Sequence, residues 1–129
     1  MLQSAPMYSY IPVKDLPRAR QFYEQKVGLK PVDVREGGVI YEFGNHTACF
    51  MYPTPNAGTS QASQAFWEVK DVEREVADLR KRGVEFEDYD LPNMKTVNGI
   101  AAVGKVKTAW FKDTEGNIMA LVERLDRPH

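Results

Sequence analysis

The sequence has little of what would mark a covalent staple, a metal cage or a membrane anchor. It holds one cysteine, Cys49, so no disulfide can form within the chain, and only two histidines, His46 and His129. No apolar stretch approaches the roughly 20 residues needed to cross a bilayer. The opening residues MLQSAPMYSYIPV lack the basic flank and apolar run of a secretory signal. Charge of one sign is also missing: 17 basic residues against 18 acidic ones leave a net charge of -1, too little to draw in phosphate backbones or anionic lipid. These absences set aside nucleic acid and membranes as partners. They predict a soluble protein of a reducing, cytoplasmic compartment.

What is present is ordinary for a globular chain. Its 129 residues, 43% hydrophobic and 27% charged, fit a single domain over 1–129 with one core. Folding at this length buries roughly two-thirds of the unfolded surface, so no metal is needed to hold the fold and any metal would serve function. Cys49 lies in the apolar run ACFMY and reads as a buried, inert thiol. His46 lies in the turn-like FGNHT and reads as exposed. His129, the last residue, carries no weight.

The most informative feature is internal similarity. YIPVKD at 10–15 recurs as FWEVKD at 66–71, so Asp15 and Asp71 stand 56 residues apart, and each opens a helical pattern that closes on a glycine. Asp15 caps a helix over 15–27 with Pro17 in its first turn and Leu16, Ala19, Tyr23 and Val27 on one face. Asp71 caps a second helix, over 71–82, with Val72, Val76 and Leu79 as its stripe. Gly28 and Gly83 end them. Strand candidates MYSYIPV and SQAFWEV precede the helices. KPVDVR, VIYEFG and TACFMYP follow the first, and VEFEDY, VKTAWFK and NIMALVE the second. Each half reads strand, helix, strand, strand, strand, with module one at about 7–53 and module two at about 63–124. Residues 91–105, LPNMKTVNGIAAVGK, have no counterpart in the first half. They read as a lid, a surface excursion or a short extra strand around IAAV.

VKDLPRARQFYEQKVGLKP at 13–31 and WFKDTEGNIMALVE at 110–123, together with the repeat, resemble the vicinal oxygen chelate superfamily, the family of glyoxalases, bleomycin-resistance proteins and dioxygenases. The resemblance implies an α+β fold of two βαβββ modules, forming a paired, incompletely closed mixed β-barrel around a cleft with the helices outside. It also implies a homodimer. By alternation, Ser9, Ile11 and Val13 would face the first helix and Tyr8, Tyr10 and Pro12 the cleft. Likewise Ala65, Trp67 and Val69 would face the second helix and Gln64, Phe66 and Glu68 the cleft. Enzymes of the superfamily hold a divalent metal at positions that here fall on Tyr8, Gln64, Ala120, and either Ala48 or Phe50. One amide, one phenol and otherwise carbon imply no metal and no cofactor.

Two functions follow. The first is a binding module whose cleft, lined by Tyr8, Tyr10, Phe50, Gln64, Phe66, Glu68 and Trp110, takes a small, partly apolar molecule. The alternative is an enzyme of the lyase, isomerase or dioxygenase type that works without the usual metal ligands. Glu68 would then be its base, raised by an apolar wall, and Glu42 a second candidate. A pure interaction protein has less support, since no charge run, heptad or exposed apolar stripe stands out.

Overall fold

Two aspartates start the two helices. In the computed structural model, which describes residues 1–126, Asp15 accepts a hydrogen bond from the Arg18 N–H at 3.0 Å, and Asp71 accepts one from the Arg74 N–H at 3.2 Å. Each carboxylate thereby satisfies an N–H that the first helical turn leaves without a partner. His129 lies outside the described residues.

The chain divides into two compact units. The first comprises Met1–Ser60 and Thr114–Asn117. It contains β1 (Ser9–Val13), α1 (Leu16–Gln21) continued by a π-helical stretch (Phe22–Val27), β2 (Asp33–Arg35), β3 (Gly38–Glu42) and β4 (Ala48–Pro53). Its sheet runs β1-β4-β3-β2, with β1 parallel to β4 and the other pairs antiparallel. Alternation puts Ile11, Val13, Val39, Tyr41, Cys49 and Met51 on the buried face, and Ala19, Phe22 and Tyr23 of the helical segment are buried too. The reading of Cys49 as a buried thiol holds, and burial pushes that thiol up to about 11.

The 3.6-residue spacing predicts one α-helix over 15–27, and the structure differs after Gln21. A π turn holds more residues than an α turn, so neighbours lie closer around the axis. Both Phe22 and Tyr23 are buried here, their rings edge-on at 5.2 Å, whereas α spacing places only Tyr23 on the apolar face. Gly28, at φ 91, ends the segment in the left-handed region.

The second unit comprises Gln61–Asp113 and the chain from Ile118. It contains β5 (Ser63–Glu68), α2 (Val72–Lys81), β6 (Asp90–Leu91), β7 (Met94–Val97), β8 (Ile100–Val103), β9 (Val106–Lys112) and β10 (Ile118–Arg124), in the order β5-β10-β9-β8-β7-β6. Only β5 and β10 are parallel. Val72, Val76 and Leu79 are buried, as the stripe on α2 predicts. The α+β class and the repeat therefore hold, as two mixed sheets of four and six strands that do not close into a barrel.

One expectation for this half needs correction, and one open alternative is decided. VEFEDY makes no sheet strand: it contributes one bridge, Phe86 to Phe111, and its end is held by side chains, with the Tyr89 N–H donating to Thr96 Oγ1 at 2.8 Å and Thr96 Oγ1 donating to Asp88 at 2.9 Å. The place beside β9 goes instead to IAAV, as β8, so residues 91–105 are mostly a meander and not an irregular lid. The signal was Asn98-Gly99. Both residues have positive φ, 55 and 81, the signature of a tight hairpin turn that joins β7 to β8.

Candidate functional site

On the first unit's sheet, the residues that alternate with the core carry aromatic rings. Tyr10 of β1 lies edge-on to Phe50 at 6.1 Å and to Tyr52 at 5.2 Å, and the rings of Phe50 and Tyr52 are parallel at 6.4 Å. Tyr8 and Tyr10 are exposed, while Phe50 and Tyr52 are half-buried. Next to this cluster is a hollow of about 300 Å³ lined by Tyr8, Ile40, Glu42, His46, Ala48 and Phe50, with Cys49 behind. Phe50 thus lies beside Tyr10 and shares the lining of the hollow with Tyr8. Tyr52 was missed, although it follows Phe50 by two in CFMYP and so shares its face.

His46 is exposed at the hollow, as expected, and it adopts φ 63 directly after Asn45 at φ 57. Two successive left-handed residues that are not glycine are uncommon. The turn is held by the Phe43 N–H to the Thr47 carbonyl at 2.8 Å and by Thr47 Oγ1 to the Gly44 carbonyl at 2.9 Å.

The remaining predicted residues belong to the second unit's sheet. Phe66 of β5 pairs with Ala120 of β10, which pairs with Trp110 of β9, so Phe66, Ala120 and Trp110 form one row. Trp110 is half-buried and edge-on to Tyr89 at 5.4 Å. The equivalent row in the first unit is Tyr10, Phe50 and Ile40. Tyr10 and Phe66 have closely similar surroundings, each on an edge strand parallel to the unit's last strand and each largely exposed, at 63% and 62%. Gln64 sits at a bulge, since Ser63 pairs with Ile118 while Ala65 pairs with the very next residue, Met119. Glu68 is 3.7 Å from Arg124, and with side chains 38% and 42% exposed the two make a solvated ion pair.

DTEGN, which joins VKTAWFK to NIMALVE, carries a buried carboxylate that nothing in its polar composition signals. Glu115 belongs to the first unit, and its side chain has no exposed surface. It accepts hydrogen bonds from the N–H groups of Lys14 and Asp15 at 2.9 Å each, from Arg18 Nε at 2.8 Å and Nη2 at 3.0 Å, and from Thr114 Oγ1 at 2.7 Å. Burial alone would raise its pKa, but these donors outweigh burial and hold the carboxyl down at about 2. Next to it, the Asn117 amide donates to the Pro12 carbonyl at 2.7 Å. The hairpin tip thus anchors the end of β1 and the start of α1, which fixes the strand that carries Tyr10 and follows directly on Tyr8.

The model of the Glyoxalase/Bleomycin resistance protein/Dioxygenase superfamily matches residues 6–121. The chain belongs to this superfamily. No curated protein matches it. Among solved structures, TnmS3 from Streptomyces sp. CB03234, described as an antibiotic-binding protein, is similar with a TM-score of 0.67 and 22% identity, over 96% of this chain and 98% of that one. A glyoxalase/bleomycin resistance protein from Catenulispora acidiphila DSM 44928 aligns with a TM-score of 0.66 and 22% identity, over 93% and 98%. Another from Streptomyces sp. CB03234 aligns with a TM-score of 0.64 and 21% identity, over 91% and 98%. At these identities the likeness is one of fold.

As a superfamily member, the chain invites the question of a metal. The paired rows settle the choice between Ala48 and Phe50: Phe50 stands opposite Tyr10 as Ala120 stands opposite Phe66. The four places then hold a phenol, a phenyl ring, an amide and a methyl group. A hard divalent ion needs several oxygen or imidazole donors to replace its water, and this set does not fit one. Asp71, Glu73 and Glu123 bring oxygens within 4.8 Å of one another. They are already engaged, however: Asp71 caps α2, Glu123 accepts from the Val72 N–H at 2.9 Å, and Glu73 pairs with Lys107 at 2.8 Å. That group is a helix start with its donors satisfied.

Proposed function

We propose that this superfamily member binds and holds a small, partly apolar, flat molecule, and that it does so as one domain and without a metal. The observation that carries this reading is the hollow beside Tyr8 and Phe50, bordered by the Tyr10–Phe50–Tyr52 cluster. At about 300 Å³ it lies at the small end of the range that holds organic ligands. Aromatic rings grip such ligands with large, stiff surfaces that lose little freedom on binding. In the second unit, Gln64, Phe66, Glu68 and Trp110 offer a comparable surface to the same class of molecule. The fold-level likeness to TnmS3, described as antibiotic-binding, agrees with a role in binding. The donor set at the superfamily's metal positions supports action without an ion.

We further propose a homodimer, on the superfamily resemblance, and a cytoplasmic location, which the lone buried thiol suits. Among the described residues no helix is long and apolar enough to cross a membrane. Native mass spectrometry of freshly purified protein tests these points together. The expected result is a species of twice the 14.7 kDa chain mass, carrying a co-purified organic molecule or accepting an added one, with less than stoichiometric metal. One tightly bound equivalent of nickel, zinc, iron or manganese would overturn the metal-free reading.

A further inference from the structure

The hollow of the first unit has a charge as well as a shape. Its polar and ionisable lining consists of Tyr8, Glu42, His46 and Cys49, with no lysine or arginine. Burial pushes the Cys49 thiol up to about 11, so it stays neutral. Glu42 is the one acidic side chain of the lining. It is an exposed residue of β3, and neither ion pair nor hydrogen bond ties up its carboxylate among the described residues. Phe50 and Tyr8 supply ring surface to the same hollow, and a ring face attracts positive charge through its quadrupole.

We infer that the hollow selects a flat aromatic cation over a neutral ligand of the same shape, with Glu42 as the residue that sets the preference. The inference rests on the proposal that the hollow binds small flat molecules, and it adds the ligand's charge. A neutral ring gains only area against Phe50 and Tyr8. A cationic ring gains the same area, the attraction of the aromatic faces and the field of a carboxylate with no lysine or arginine beside it in the lining. An anionic ring meets the same carboxylate as repulsion.

The test compares two probes with one ring system, acridine, which is uncharged in mildly alkaline buffer, and 10-methylacridinium, a permanent cation. Each is titrated by fluorescence against the full chain and against Glu42→Gln and Phe50→Ala, with thermal melts to confirm that the variants fold. On the native chain 10-methylacridinium should bind about tenfold more tightly than acridine, and Glu42→Gln should bring the ratio close to one. Phe50→Ala should weaken both probes. If both bind equally to the native chain and both respond to Phe50→Ala, the charge preference is refuted while the binding site stands. Should neither bind, or should binding ignore Phe50→Ala, the binding proposal fails and the preference fails with it. Raising salt gives a second check, because the excess affinity of the cation should shrink while acridine is little affected.

Discussion

Replacing Glu115 with glutamine should cost this protein more stability than most single substitutions, and the cost should fade in acid. The carboxylate is buried and accepts five hydrogen bonds, two of them from Arg18. Together these donors hold its pKa at about 2 instead of 4.5. At about 1.4 kcal/mol per pH unit, that difference corresponds to about 3 kcal/mol of folding free energy. Glutamine keeps the shape but turns one oxygen into a donor that faces other donors. In urea titrations at neutral pH, Glu115→Gln is expected to lose about 3 kcal/mol, or roughly 10 °C in melting temperature. Because the folded-state pKa lies below the unfolded one, the carboxylate's contribution is complete above about pH 4.5 and disappears as the pH falls to about 2. The gap between native and variant should therefore narrow across that window, and subtracting the two curves cancels the titration of the other acids. A variant within about 0.5 kcal/mol of the native chain at neutral pH, or a gap that persists undiminished to pH 2, would refute the reasoning.

Three further outcomes are expected. Gly58 has φ 72, and a Cβ there would lie 2.3 Å from the Glu115 carbonyl oxygen, so Gly58→Ala should cost more than about 2 kcal/mol in denaturant titration, well above the usual cost of a left-handed alanine. Cys49, buried and with its thiol pushed up to about 11, should not react with a thiol-disulfide reagent at neutral pH until the chain is unfolded; fast labelling of native protein would count against its placement. The buried Tyr41 hydroxyl donates to Glu24 at 2.8 Å, and Glu24 also holds Arg20 at 2.8 Å. Tyr41→Phe should thus lower stability by about 1 to 2 kcal/mol in the same titrations, and no loss would show that the bond adds nothing net.

Sequence alone determined the features that depend on local chemistry and on short periodicity. Asp15 and Asp71 had to cap helices because their side chains reach an N–H three residues on, and the repeat of YIPVKD as FWEVKD carried the strand-helix plan into both halves. Period two put Tyr10 opposite in direction to Ile11 and Phe50 opposite to Met51, because in a strand it holds whatever lies across the sheet, while the choice of which face is the core came from the superfamily resemblance. Other features needed the tertiary structure. VEFEDY reads as a strand from composition, but the place beside β9 goes to IAAV, because the Asn98-Gly99 turn folds β7 onto β8 and hydrogen bonding across a sheet is a contest between segments, not a property of one. The choice between Ala48 and Phe50 was a question of register, which only pairing with β1 could answer. Glu115 gave no sign of its role, since an acid in a turn reads as solvated. Four of its five hydrogen bonds come from residues about 100 positions earlier in the chain, and only folding brings Lys14, Asp15 and Arg18 to it.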